Sequence, residues 1–202
     1  AAKWIQENAA HYGKARIQWI KLGHATDAEV EALIAKGTRF SDIFEVASAD
    51  AVKAEPAKYE GFKPVYVYSG TGGKTQLEYL KLKPGMEQAA AFLETRRYAA
   101  YLGATTEFTK MEGQAHSNAD KKLWTAISYV RKGMIDGQNK ERPQDDIKLA
   151  GDEKDLTCGV VYESALKGSQ KDTAGNPIAI DWVAADMTGL IYGERNPADG
   201  KQ

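Results

Sequence analysis

The feature that most constrains this chain is the crowding of strand patterns after residue 112. EGQAHS (112–117), LWTAISYV (123–130), CGVVYESAL (158–166) and AIDWVAADMTG (179–189) each read as a strand. Most are rich in β-branched and aromatic residues, in short runs bounded by turn-forming residues. NADKK, with Asn118, makes the first turn, and KGSQKDTAGNP reads as a Gly/Asp/Asn hairpin loop. The middle connection is long: RKGMIDGQNKERPQDDIKLAGDEKDLT. Four antiparallel strands over residues 112–189 are what one blade of a β-propeller with a long inner loop requires. A small sandwich or half of a barrel would use the same strands. The four-strand pattern does not recur in the 202 residues. A closed propeller of four or more blades therefore does not fit in this chain alone.

Upstream, the texture mixes helix and strand. Trp4, Ile5 and Trp19 are apolar anchors, and RIQWIKLG predicts a strand over 16–22. HATDAEVEALIAKG predicts a helix over 26–37. Thr26 or Asp27 would cap it, Val30, Leu33 and Ile34 would form its apolar stripe, and Gly37 would stop it. RFSDIFEVA follows, apolar at Phe40, Ile43 and Phe44, and 48–61 reads as a polar loop. PVYVYS (64–69) and TQLEYLKL (75–82) predict a hairpin across GTGG. That turn lacks the G-x-x-x-x-G-K-[ST] spacing of a phosphate loop. Pro84 and Gly85 end the second strand, and the Ala-rich 86–103 predicts a helix stopped by Gly103.

Composition narrows the function classes. The formal net charge is −1, and no basic run reaches the length of a nucleic-acid-binding arm. Nucleic acid is not an expected partner. No apolar run approaches the ~18 residues of a membrane span. One cysteine, Cys158, excludes a disulfide within the chain. The chain opens on Ala rather than Met, so a processed N-terminus or a piece of a longer protein is expected.

The chemistry concentrates at EFTKMEGQAHS (107–117), the seam between the long helix and the first late strand. Glu112 opens that strand between Met111 and Gly113. Taken alone, it is either a solvated strand end or a carboxylate aimed at a cation. Lys110 and Arg96 are candidates for binding phosphate, since an arginine fork matches phosphate oxygens and a lysine acts as a point charge. His116 shares the Glu112 face by period two, ~13 Å further along, and reads as a surface histidine. His11, His24 and His116 lack zinc-site spacing. No G-x-S-x-G elbow occurs, which disfavours a serine hydrolase. DGQNKERPQDD (136–146) lacks the residue order of an EF-hand and reads as a loop over a cavity mouth.

Several of these segments together resemble the PhoX-type alkaline phosphatases, metallophosphatases of the periplasm or the secreted fraction. The likeness is carried by GTRFSDIFEVA, TRRYAAYLGAT, KMEG, LWTAISYVRKGM, DDIKL and CGVVYE, spread over roughly residues 16–190. It implies a β-propeller interrupted by helices, hydrolysing phosphate esters with calcium ions and an iron pair. It also implies that Glu112 is a metal ligand, with Lys110 and Arg96 in the family's basic positions. Better-known members carry an aromatic residue directly after the glutamate, where this chain has Gly113. Members run to several hundred residues, so a remaining segment or chain completing the propeller is an expected partner. Two rivals stand beside this reading. One is a non-catalytic, calcium-stabilised propeller scaffold, and the other is a propeller hydrolase acting on lactones.

Overall fold

The computed structural model describes residues 1–10, 12–68, 75–137, 146–193 and 198. It is mainly β, 35% strand against 23% helix. A large antiparallel sheet combines both ends of the sequence, and a smaller sheet with helices is inserted between them. Among the described residues neither sheet closes on itself, so no closed barrel or propeller is shown.

The chain opens with a hairpin, β1 (Ala2–Asn8) and β2 (Lys14–Trp19). Tyr12 and Gly13 turn it with positive φ. Trp4 is one of its core anchors, 1% exposed, with its ring edge-on to Phe108 and Tyr162. The strand expected over 16–22 thus starts earlier and ends at Trp19.

The insertion begins with α1 (Asp27–Ala35). Thr26 caps it in a full capping box with Glu29, and Gly37 follows with φ +69°. The expected stripe is only partly used. Leu33 packs against the second core, whereas Ile34 is 62% exposed and no residue of α1 is fully buried. RFSDIFEVA divides into α2 (Phe40–Ile43) and β3 (Phe44–Ala47). The stretch read as a polar loop contains a short helix, α3 (Ala49–Ala54), capped by Ser48. Next come β4 (Lys63–Tyr68) and β5 (Thr75–Leu82), paired as the expected hairpin. Their GTGG connection lies outside the described residues. β3 joins the far side of β5, giving the order β3-β5-β4.

The single helix expected over 86–103 is two: α4 (Glu87–Leu93) and α5 (Thr95–Tyr101). Glu94 separates them with φ −128° and ψ 38°. The break lets both helices face the small sheet. Ala89, Ala90, Ala91 and Tyr98 are buried there with Ile43, Phe44, Val65 and Leu80. Gly103 ends the pair with φ +90°.

The late strands are β6 (Met111–Ser117), β7 (Lys122–Ile127), β8 (Val160–Lys167), the short β9 (Val183–Ala184) and β10 (Asp186–Tyr192). β6, β7, β8 and β10 lie side by side in an antiparallel meander, as one blade would. The sheet does not stop at four strands, however. β10 also pairs with β2, so the order across the large sheet is β1-β2-β10-β8-β7-β6. Its core face is covered by the described parts of the long connection, a 3₁₀ turn (Lys132–Met134) and α6 (Glu153–Leu156). Met134, Ile135, Ile147, Leu149 and Leu156 are buried against Trp4, Ile127, Val160 and Tyr162. The middle of DGQNKERPQDD and the tail NPADGKQ, apart from Ala198, lie outside the described residues.

The two edges of the large sheet are treated differently. β1 is covered. Trp4 N–H donates to Thr105 Oγ1 at 2.8 Å and Thr105 N–H donates to Ala2 O at 3.0 Å. The Gln6 amide grips the backbone of Lys148, donating to its carbonyl and accepting from its N–H, both at 2.7 Å. β6 is a bare edge in the described chain, and Met111 through His116 are all exposed. Its polar, charge-flanked sequence is of the kind that discourages edge-to-edge aggregation.

Candidate functional site

The site is the start of β6. Glu107 and Thr109 are buried in the segment that leads there, with Thr109 Oγ1 donating to Tyr129 O at 2.9 Å. Lys110 then takes φ +49°, unusual for a residue with a side chain. Ser128 N–H donates to its carbonyl at 3.1 Å. A β-bulge follows: Met111 faces Ile127 and Gly113 faces Ala126, leaving Glu112 as the extra residue. The turned Lys110 and the bulged Glu112 meet, with Lys110 Nζ 2.9 Å from Glu112 Oε1. Two sequence-predicted residues are thus brought together, and both are about half exposed.

The pair shapes its own titration. The hydrogen bond from Lys110 holds the Glu112 carboxyl below its ordinary range, and a second from the Ser128 side chain adds to this. The same bond to Glu112 raises Lys110. The bulge also breaks the period-two count that placed His116 on the Glu112 face. Alternation from Gly113 onward sets His116 opposite Leu123, with Glu112 outside that count.

Arg96 is not part of this cluster by element. It lies exposed on α5, over the small sheet. Its neighbour Arg97 turns inward, bonding Glu78 through Nε at 2.9 Å and Glu94 through Nη1 at 3.0 Å, beneath the Phe40 ring. The sequence reading missed the residues that β7 delivers to the site, Ser128, Tyr129 and Arg131. Arg131 Cζ sits 4.5 Å from the centre of the Tyr129 ring, and Lys110 Nζ sits 5.9 Å from the same centre. The available signal was YVR at the end of the second late strand, one hairpin away from KMEG.

The donors fit part of a cation shell. Glu112 and Ser128 offer oxygens, the atom type a hard cation such as calcium takes. Calcium requires roughly six to eight of them. Among the described residues no group of three or more His, Cys, Asp or Glu side chains is placed to hold a metal ion. The described residues therefore do not form a complete calcium or iron centre. Cys158 is a half-buried free thiol packed beside Gly193.

One further pattern crosses the outer face of the meander. Gly113 on β6 faces Ala126 on β7, which faces Val161 on β8, which faces Ile191 on β10. Directly opposed residues project from the same face. This row is wholly apolar, and its side chains grow at every step away from β6. Its thick end is open, with Ile191 64% exposed. The next charges along the face are paired within it, Lys122 Nζ lying 2.8 Å from Glu163 Oε1. Trp124 Nε1 also donates to Glu163 at 3.0 Å. A separate concavity of about 350 Å³, lined by Leu33, Lys36, Asp42, Met86 and Gln88 among others, belongs to the inserted helices.

No family model matches the chain, and neither a curated protein nor a solved structure matches it. Among the described residues no helix is long and apolar enough to cross a membrane.

Proposed function

We propose that this chain contributes one sheet, and one edge of a site, to a metal-dependent phosphate-ester hydrolase of the PhoX type. The observation that carries the reading is the tapered row on the outer face. It thins from Ile191 to Gly113, toward β6, whose bulge carries Glu112. Sheets arranged radially around a channel approach closely at their inner strands and splay outward. A row of Gly, Ala, Val and Ile suits a neighbouring sheet set at such an angle. β6 is then the inner strand, and Glu112 stands at the channel.

In this reading Glu112 supplies one ligand of a calcium site, and a remaining segment or chain supplies the others. Iron is a second metal that the resemblance implies. The bound metal would supply Lewis-acid activation of a phosphate ester. Lys110 sits beside the carboxylate and is suited to a phosphate oxygen. Arg96, on the other layer, is the weaker phosphate contact. A periplasmic or secreted location goes with the same reading.

The test joins metal analysis to a phosphate-ester assay on the assembled protein, comparing wild type with Glu112→Gln. Loss of bound metal and turnover with a retained fold is the expected result. An assembly that binds no metal and cleaves no ester refutes the reading. In a second reading, a calcium-stabilised scaffold without catalysis, the same Glu112 holds a purely structural ion. This reading predicts a lower melting temperature for Glu112→Gln and no activity to lose.

A further inference from the structure

The inserted helices enclose a concavity of about 350 Å³ that the hydrolase reading leaves unused. That volume falls in the range of small-molecule sites, roughly 300–1,000 Å³. The space follows from how α1 is held. Its first turn is tied to α4, where the Gln88 amide donates to Glu29 Oε1 at 3.4 Å and to the His24 carbonyl at 3.5 Å. Of the apolar stripe Val30, Leu33 and Ile34, Leu33 alone packs on the inserted core. No residue of α1 is fully buried. The concavity lies between the end of α1, at Leu33 and Lys36, and the start of α4, at Met86 and Ala89, with Asp42 of α2 on the same wall. Gly85 leaves part of that wall open, since nothing lies within 4 Å of the point where a Cβ would stand.

We propose that this concavity binds a small zwitterion with an aliphatic side chain, of the class of the free apolar α-amino acids. Leu33, Met86 and Ala89 give it an apolar floor. Charges of opposite sign, Lys36 and Asp42, line the same space. Among the described residues neither is in an ion pair, with the other or with any third group. Asp42 Oδ2 accepts from the Arg39 N–H at 2.8 Å, which fixes the carboxylate and leaves Oδ1 for an incoming donor. Lysine is a point charge on a flexible stem and adjusts its direction to an acceptor. A molecule carrying an ammonium and a carboxylate on one carbon answers both charges, and its side chain covers the floor. A carboxylate alone is repelled by Asp42 and an amine alone by Lys36, so the pair selects for the zwitterion by rejection as well as attraction. The site belongs to the inserted core and is independent of the reading of Glu112.

The experiment titrates L-leucine onto the chain and follows calorimetry and amide shifts, at low ionic strength, where exposed charges are least screened. Three relatives of leucine are run beside it: 4-methylpentanoate without the amine, 3-methylbutylamine without the carboxylate, and glycine without the side chain. Leucine is expected to bind most tightly and to move the amides of Gly37, Thr38 and Gly85. Lys36→Ala and Asp42→Asn lie at the surface, and circular dichroism checks that each is folded. Each is expected to weaken leucine binding about three- to tenfold, the range of one net hydrogen bond. Lys36→Ala should bring leucine down to the affinity of 3-methylbutylamine for wild type, and Asp42→Asn to that of 4-methylpentanoate. Ile34→Ala, on the same helix but outside the concavity, should leave binding unchanged. Leucine that does not bind wild type in the millimolar range, or binds folded Lys36→Ala as well as wild type, overturns the proposal. So does glycine or either single-charge analogue binding as tightly as leucine, or shifts confined to residues away from the concavity.

Discussion

Replacing Gly159 by alanine tests how the site is held. Gly159 precedes β8 and has φ +82°, a conformation that costs a residue with a Cβ about 1–2 kcal/mol. Space is a second obstacle. A Cβ at this position would lie 2.4 Å from Ile127 O and 2.7 Å from Ser128 O. Both obstacles are backbone, so a side-chain rotation does not relieve them. Forcing extra volume into a packed site adds about 1–3 kcal/mol. Together these give roughly 2–5 kcal/mol of destabilisation. For a chain of this size that lowers the melting temperature by about 4–20 °C. Because Ser128 bonds both Lys110 and Glu112, the shift is expected to reach the site as well as the core. The assay is urea and thermal unfolding, with amide shifts of Lys110 and Glu112 as the local readout. Gly113→Ala serves as the contrast. Gly113 lacks a positive φ, and its nearest obstacle is the Ala126 side chain at 3.7 Å. It should stay within about 0.5 kcal/mol of wild type. If Gly159→Ala unfolds like wild type, the backbone at β7–β8 does not constrain this position.

Three other outcomes follow from the geometry. Gln6→Ala removes two hydrogen bonds to the Lys148 backbone and uncovers the β1 edge, so a loss of about 1–3 kcal/mol in urea unfolding is expected. Lys110→Ala should return the Glu112 carboxyl toward its ordinary titration range in a carbon-detected NMR titration; no change would show that Lys110 is not the main cause of its lowering. The Lys110–Glu112 contribution to stability should be present above the unfolded carboxyl range and fade as pH falls through the lowered Glu112 value. At the alkaline end it should be complete below the unfolded lysine range and fade as pH rises through the raised Lys110 value. Comparing unfolding curves of wild type and Lys110→Ala across pH checks both limbs, and both effects should be small because the pair is exposed.

Local chemistry was readable from the order of residues. Thr26 and Glu29 define a capping box within four residues, and they form it. Gly37 and Gly103 stop helices because the left-handed turn is open to them without steric cost. The first three late strand patterns fall on β6, β7 and β8, since alternation and turn residues act over short spans, whereas the fourth, expected over 179–189, divides into β9 and the first half of β10, with 179–182 outside any strand. Lys110 and Glu112 were each singled out from the sequence, one for phosphate and one for a cation, but their ion pair was not. The break at Glu94 was less legible, because an Ala-rich run favours one continuous helix and packing on the small sheet divides it.

Tertiary structure decided what lay far apart in the sequence. The N-terminal hairpin was read as anchors and one strand, yet its β2 pairs with β10 across most of the chain, at Arg16–Asp186. Nothing within a local window encodes that partner. The pairing arises because Ala15 and Trp4 bury against Tyr162 and Met187 in a common core. Arg131 likewise reached the site only through the β6–β7 hairpin and the bond from α6. By itself, then, the sequence determined most of the strands and the caps, and it marked Lys110 and Glu112 as separate candidates. The fold decided which edge lay bare, which face tapered and which side chains met, because those depend on contacts between residues that no local periodicity connects.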